Sequence, residues 1–173
     1  MSLLYQSSSL SRTTTLDIMV KEIKTETKVG VGIEALWKAL SKDLRFLAPK
    51  IAPNLIKNVE LIEGDGTSIG TVLLFSFDSD VLKMIYQKEK IVELDESVHR
   101  FGLQVVEGGH LNHGFSSYKI SYQLAAIQEQ ETLVSITVTY ESALGDTSMP
   151  SRSTQATVAF IRSLESFLLN SAA

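Results

Sequence analysis

Over most of residues 55–142 apolar and polar side chains alternate with a period of two, the signature of half-buried strands. That alternation predicts strands at 55–63, 69–77, 83–94, 98–107, 112–126 and 132–142. The separators are turn-like: Gly64-Asp65-Gly66-Thr67, Ser79-Asp80, Asp95-Glu96-Ser97, Gly108-Gly109 and Gln128-Glu129-Gln130. Residues 20–29 read as an earlier strand, punctuated by Gly30 and Gly32. The period then lengthens: Ile33, Leu36, Trp37 and Leu40 follow helical spacing, which predicts a short amphipathic helix over 33–41. Leu44, Phe46 and Leu47 predict a second short helix ending near Pro49, and Pro53 bars its continuation. Gly145 to Ser153, containing Pro150, reads as a loop. Residues 152–170 form a long helix whose apolar face carries Thr157, Ile161, Leu164 and Leu168, with Arg162, Glu165 and Ser166 towards the other side.

Consecutive strands with short connections favour an antiparallel meander. The expected fold is therefore α+β: a seven-stranded curved antiparallel sheet wrapped around a long C-terminal helix, with two short helices after the first strand. Residues 1–18 stand apart. Their first 15 positions are rich in Ser and Thr, with one Arg and no acid, and Leu3-Leu4 is too short an apolar core for a secretory signal. They are read as a disordered N-terminal extension, and Met19-Val20-Lys21 as the start of a single domain over 19–173.

Composition narrows the functional classes. A net charge of −4 and a pI near 5.4 argue against a nucleic-acid surface. The absence of cysteine excludes disulfides, thiolate metal sites and a cysteine nucleophile, and suits a reducing compartment. No apolar run approaches the roughly 20 residues of a membrane-spanning helix.

The chemistry concentrates in Tyr86-Gln87-Lys88-Glu89-Lys90. On a strand from about Met84 to Leu94, Ile85, Gln87, Glu89 and Ile91 share one row, and Met84, Tyr86, Lys88 and Lys90 share the other. The two lysines mark their row as the wet one, which turns an amide and a carboxylate inward. A buried carboxylate needs a partner. It is either a protein group, such as a cross-strand donor or Arg100, or a ligand. A glutamine can give and take one hydrogen bond at the N6/N7 edge of adenine, and a carboxylate can accept from a ring N–H, so the pair suits a purine. Burial should also raise the pKa of Glu89.

Other candidate motifs are weaker. The Gly64–Gly70 loop lacks the Gly-Lys-Ser/Thr of a phosphate-binding loop and leads into a strand, so it reads as a hairpin turn. His110 and His113 fall on opposite faces if they lie on a strand, and no acid or thiol cluster accompanies them, so no metal is expected. His110 adjoins the Glu107 turn and can reach an interior space. Gly114-Phe115-Ser116-Ser117-Tyr118 lacks the second glycine of a nucleophile elbow. Tyr118, Ile120, Tyr122 and Leu124 share a row, as do Ile136, Val138 and Tyr140, and Phe101, Leu103 and Val105. These are core rows. If a cavity exists they line it, with Phe101 on its wall and the hydroxyls of Tyr118 and Tyr140 turned towards it.

The element order, the Glu63-Gly64-Asp65-Gly66…Gly70-Thr71 loop and the Glu107-Gly108-Gly109 turn resemble the Bet v I-like, pathogenesis-related class 10 family of plants from about residue 20 to the end. Glu34-Ala35-Leu36-Trp37, Tyr86-Gln87-Lys88-Glu89 and Gly102-Leu103-Gln104-Val105-Val106 resemble most its cytokinin-specific, or phytohormone-binding, branch. The resemblance implies an internal cavity for a small plant hormone or related metabolite, a cytokinin-like purine or a gibberellin. Gln87 and Glu89 would hold the ligand's polar edge, with Leu40, Thr157 and Phe160 shaping the fit. Phe160 departs from the branch, which has a tyrosine there. The family also contains norcoclaurine synthase, whose tyrosine, glutamate, lysine and aspartate fall here on Gln87, Glu89, Phe101 and Ile120. Only the glutamate survives, so the enzymatic alternative is an isomerase or cyclase with Glu89 as general base. The resemblance further implies a role in defence, no cofactor, a monomer or weak homodimer, no nucleic-acid or membrane partner, and a place in the cytoplasm, with the nucleus as a second site.

Overall fold

The computed structural model describes residues 20–143 and 148–171. The N-terminal extension expected over 1–18 and the first residues, 145–147, of the loop expected over 145–153 lie outside these described residues.

A single seven-stranded antiparallel sheet runs in the order β1-β7-β6-β5-β4-β3-β2. Its strands are β1 (Val20–Val29), β2 (Ile56–Glu63), β3 (Val72–Phe77), β4 (Tyr86–Asp95), β5 (Arg100–Gly108), β6 (Phe115–Gln128) and β7 (Glu131–Ser142). Helices α1 (Ile33–Ser41) and α2 (Leu44–Ile51) follow β1, and a long helix, α4 (Ser148–Ser171), closes the chain. The meander places β2 to β7 side by side in sequence order, and β1 returns to β7 to close the series. All seven strands, both short helices and the C-terminal helix stand where the periodicity puts them.

Two short elements were not legible in the pattern. Ser79–Leu82 makes one helical turn, α3, and Gly109–His113 makes a 3₁₀ turn, η1, where strand was expected from residue 112. Two of the three prolines, Pro49 and Pro150, are also accommodated inside helices. Pro49 lies within α2, where its missing N–H leaves the Arg45 carbonyl without its helical donor. Pro150 sits in the first turn of α4, where an N–H would have no intrahelical acceptor, so Ser148–Ser153 is helix and not loop.

The core is built from the predicted rows. Phe101, Leu103, Tyr122, Leu124, Val134 and Ile136 on the sheet meet Leu36, Trp37 and Leu40 of α1 and Ile161 and Leu164 of α4. A second cluster joins Val105, Phe115, Tyr118, Val138 and Tyr140. Fixed polar contacts bring α4 to β1: the Glu165 carboxylate accepts from the Gly30 N–H at 2.6 Å, and Arg162 donates to the Lys28 carbonyl at 2.6 Å. Glu165 therefore faces the sheet and not the solvent side of α4.

Candidate ligand cavity

Between α2, α4 and strands β3 to β6 lies a cavity of about 270 Å³. Its walls are mostly apolar: Phe75 and Phe77 of β3, Leu103 of β5, Ile120 of β6, Leu44 and Ala48 of α2, and Met149 and Phe160 of α4. Lys83 and Arg152 are exposed residues of the same wall and mark where it meets solvent. The polar groups inside are few: Gln87, Glu89, His110, Tyr122, Ser153 and Thr157. An apolar hollow with a few convergent polar groups is the usual form of a small-molecule site.

β4 places the central pair. Gln87 is 2% exposed and Glu89 8%, while Lys90 on the opposite row is exposed, so the two carboxamide and carboxylate groups do turn inward. The same row fails one residue earlier. Ile85 is 74% exposed and Met84 is buried, the reverse of the alternation read from sequence. The strand begins only at Tyr86, and Lys83, with φ 58°, turns the chain out of α3 just before it, so residues 84 and 85 precede the paired residues of the strand, and Ile85 keeps one bond to the sheet, its carbonyl accepting from the Phe77 N–H at 2.8 Å.

The neighbouring strand adapts to this site. Gln87 pairs with Gly108 and Glu89 with Val105, and one extra residue between them makes a β-bulge in β5. Gly108 ends β5, and Gly109 opens η1 at φ 51°. A side chain at 109 would fall directly on the Gln87 amide. Glycine is needed there both for the backbone angle and for the close approach.

That approach carries His110 into the cavity, 3% exposed. The Gln87 side-chain oxygen accepts from the His110 backbone N–H at 3.1 Å and meets the His110 Nδ1 at 2.8 Å. The Gln87 amide nitrogen donates to Glu89 Oε1 at 2.5 Å. His110 Nε2 lies 2.9 Å from the Ser153 hydroxyl on α4. Tyr118 stacks on the imidazole with ring centroids 3.6 Å apart. Among the described residues the second oxygen of Glu89 has no hydrogen bond.

Electrostatics follow burial. Desolvation pushes the Glu89 carboxyl up to about 7, and the Gln87 hydrogen bond only partly offsets it. Desolvation, with His113 adding to it, holds the His110 imidazole down at about 4, so the ring is neutral at physiological pH. Burial raises the Tyr118 phenol to about 12. Its hydroxyl is enclosed without a hydrogen bond of good geometry, although the Ser153 hydroxyl is near enough to temper that rise.

Of the residues picked out from the sequence, Gln87, Glu89, Thr157 and Phe160 come together on the cavity wall. Leu40, Phe101, Tyr118 and Tyr140 do not. Leu40 and Phe101 are 1% exposed in the main core, where α1 and α4 side chains fill the space that a larger cavity would occupy. Tyr118 and Tyr140 belong to the second cluster, and Tyr118 meets the site from behind, through the His110 ring and the nearby Ser153 hydroxyl. Nor does Arg100 pair with Glu89: it donates to Gln123. Ser153 was missed. Its signal was available, since it lies one helical turn before Thr157 on the same face of α4. Gln87 is also less versatile than its residue type suggests. Its oxygen is already taken by His110, so it cannot both give and take at an adenine edge.

Comparison with known proteins agrees with this architecture. The family model for the "Pathogenesis-related protein Bet v 1 family" matches residues 18–171. Norbelladine synthase of Narcissus pseudonarcissus is 33% identical over 124 residues, covering 71% of this chain and 76% of that protein. Major pollen allergen Bet v 1-B of Betula pendula is 29% identical over 151 residues, 84% and 92% of the two chains. The crystal structure of major latex-like protein 151 from Panax ginseng superposes with a TM-score of 0.77 at 22% identity, covering 87% and 98%, and shares the fold.

Proposed function

The chain belongs to the pathogenesis-related protein Bet v 1 family, and from that membership we propose that it holds a small plant hormone or related metabolite in the cavity, with an adenine-type cytokinin favoured over a gibberellin. The observation that carries the proposal is Glu89, a carboxylate 8% exposed on a mostly apolar wall, with one oxygen bound to Gln87 and the other free. A buried acid left half-satisfied is costly unless something else completes it. A ligand N–H does so.

The volume supports a compact ligand. At about 270 Å³ the cavity lies just below the roughly 300–1,000 Å³ of small-molecule sites, which suits a flat purine better than a polycyclic skeleton. Because the Gln87 oxygen is occupied, the purine edge is shared between two residues: Gln87 donates to a ring nitrogen and Glu89 accepts from the exocyclic N–H. Thr157 and Phe160 pack against the remainder. Titration calorimetry with N6-benzyladenine at pH 8 should give micromolar or tighter binding, weakened about tenfold or more in Glu89→Gln, since hydrogen bonds to charged groups are worth about 1.5–3 kcal/mol. Absence of heat with any cytokinin, together with unchanged binding of other ligands in Glu89→Gln, would sink the purine reading.

A second reading is favoured by one observation, the Glu89 pKa of about 7, which suits a general base at neutral pH. The likeness to norbelladine synthase points the same way. The surroundings are less supportive, because Phe101 is buried in the core and Ile120 is apolar, so neither shares in proton transfer. An acidic limb near pH 7 in a rate profile, abolished by Glu89→Gln, would establish this reading.

A further inference from the structure

A glutamine side chain free to turn over about its last torsion presents either its oxygen or its nitrogen to a ligand, and so discriminates little between donors and acceptors. Gln87 has no such freedom. Two donors converge on its oxygen, the His110 backbone N–H at 3.1 Å and His110 Nδ1 at 2.8 Å. Only an oxygen can accept from the backbone N–H, so the amide nitrogen is the atom facing Glu89, at 2.5 Å. Turning the amide over would break all three hydrogen bonds and set its oxygen against the Glu89 carboxyl.

The lock depends on which imidazole nitrogen carries the proton. With hydrogen on Nδ1, His110 donates to Gln87, and Nε2 is left as an acceptor for the Ser153 hydroxyl 2.9 Å away. With hydrogen on Nε2 instead, a lone pair would face the Gln87 oxygen. The Gln87 oxygen, already held by the His110 backbone N–H, therefore selects the Nδ1–H tautomer; the Ser153 hydroxyl, which can give or take, follows by donating to Nε2, and the Tyr118 ring stacked at 3.6 Å fixes the imidazole plane.

We propose that His110, through its backbone N–H and its ring, is a positioning residue that sets the polarity of the ligand site, so that it selects molecules offering a hydrogen-bond acceptor to Gln87 and a donor to Glu89 side by side. The chain Ser153 to His110 to Gln87 to Glu89 runs in one direction, each group donating to the next. At its end Gln87 has only a donor left for the cavity, and Glu89 only an acceptor while ionised. The ligand class is a flat heteroaromatic ring with adjacent acceptor and donor, as in a 6-aminopurine. Rings with two adjacent acceptors are disfavoured. This inference rests on the cavity being a ligand site.

The test has two arms. In the first, N6-benzyladenine and its 7-deaza analogue, which lacks the ring acceptor, are titrated at pH 8 into wild type, His110→Phe, Ser153→Ala and Ser153→Thr. Wild type should lose about tenfold or more on the analogue, the cost of an unmet donor. The loss should shrink by about threefold or more in His110→Phe, where one of the two bonds that hold the Gln87 oxygen is gone, and persist in Ser153→Ala and Ser153→Thr, where both remain. An equal loss in all four proteins overturns the proposal. In the second arm, which needs no ligand, ¹⁵N spectra of the His110 ring should show hydrogen on Nδ1 both in wild type and in Ser153→Ala, since the Gln87 oxygen sets the tautomer. Hydrogen on Nε2 in wild type overturns the lock outright. If the spectra show the expected tautomers while neither purine binds, it is the purine reading that has failed and not the lock.

Discussion

Replacing Glu89 by glutamine should change how stability depends on pH, by an amount that the structure sets. The carboxyl rises from 4.5 to about 7 on folding, which at 1.36 kcal/mol per pH unit is worth on the order of 3 kcal/mol. Because the folded value is the higher one, the contribution is fully present below pH 4.5 and lost as pH rises to about 7. His110 runs the other way. Its pKa falls from 6.5 to about 4, so its contribution is full above pH 6.5 and is lost as pH falls towards 4, again on the order of 3 kcal/mol. Between about pH 4.5 and 6.5 the two trends oppose each other, and the wild-type profile should be flat with respect to this pair. Glu89→Gln keeps the shape and one acceptor for Gln87 but does not titrate. Urea unfolding followed by the fluorescence of Trp37, the single tryptophan and 5% exposed, measures both proteins at each pH. The mutant's stability relative to wild type should improve by about 3 kcal/mol from pH 4.5 to 8, nearly all of it below pH 7. The exposed acids contribute equally to both proteins and cancel. Parallel profiles would refute the claim that Glu89 is buried uncompensated.

Further outcomes test the remaining parts of the site. Gly109→Ala should cost about 1–3 kcal/mol in urea melts and abolish ligand binding, because the new methyl group falls on the Gln87 amide and φ is 51°. Gly70→Ala has φ 93° but nothing within 4 Å of the added carbon, so it should show backbone strain without loss of binding. Phe160→Tyr adds a hydroxyl to the cavity wall and should tighten cytokinin binding by up to about tenfold in calorimetry, the worth of one further hydrogen bond. Lys88→Ala removes the 2.8 Å ion pair with Glu107 on the outer row of β4 and should leave ligand affinity unchanged. A change there would mean that the two rows of β4 are not independent.

The fold was legible because it rests on periodicity, and the elements that escaped were too short to show a period. α3 is four residues long and η1 five. Alternation gave the facing of Gln87, Glu89 and Ile91 correctly and failed at Met84 and Ile85, which precede the paired residues of β4. It also cannot distinguish a row that lines a cavity from a row that packs against a helix. Phe101 and Tyr140 face inward as their rows require, but side chains occupy the space in front of them. The polarity of the site lies further from the reach of any pattern. His110 is 23 residues from Gln87, and Ser153 is 43 from His110. Turn η1 and helix α4 bring them together, and no spacing in the chain records it. Residue type alone allows Gln87 to give and to take. Its two bonds from His110 remove the taking, and that loss moves the acceptor's part to Glu89. The consequence is chemical: the carboxylate must be ionised to complete an aminopurine edge. Affinity for such a ligand should therefore fall as pH drops below about 7, by up to tenfold per pH unit, while the amide beside it stays fixed.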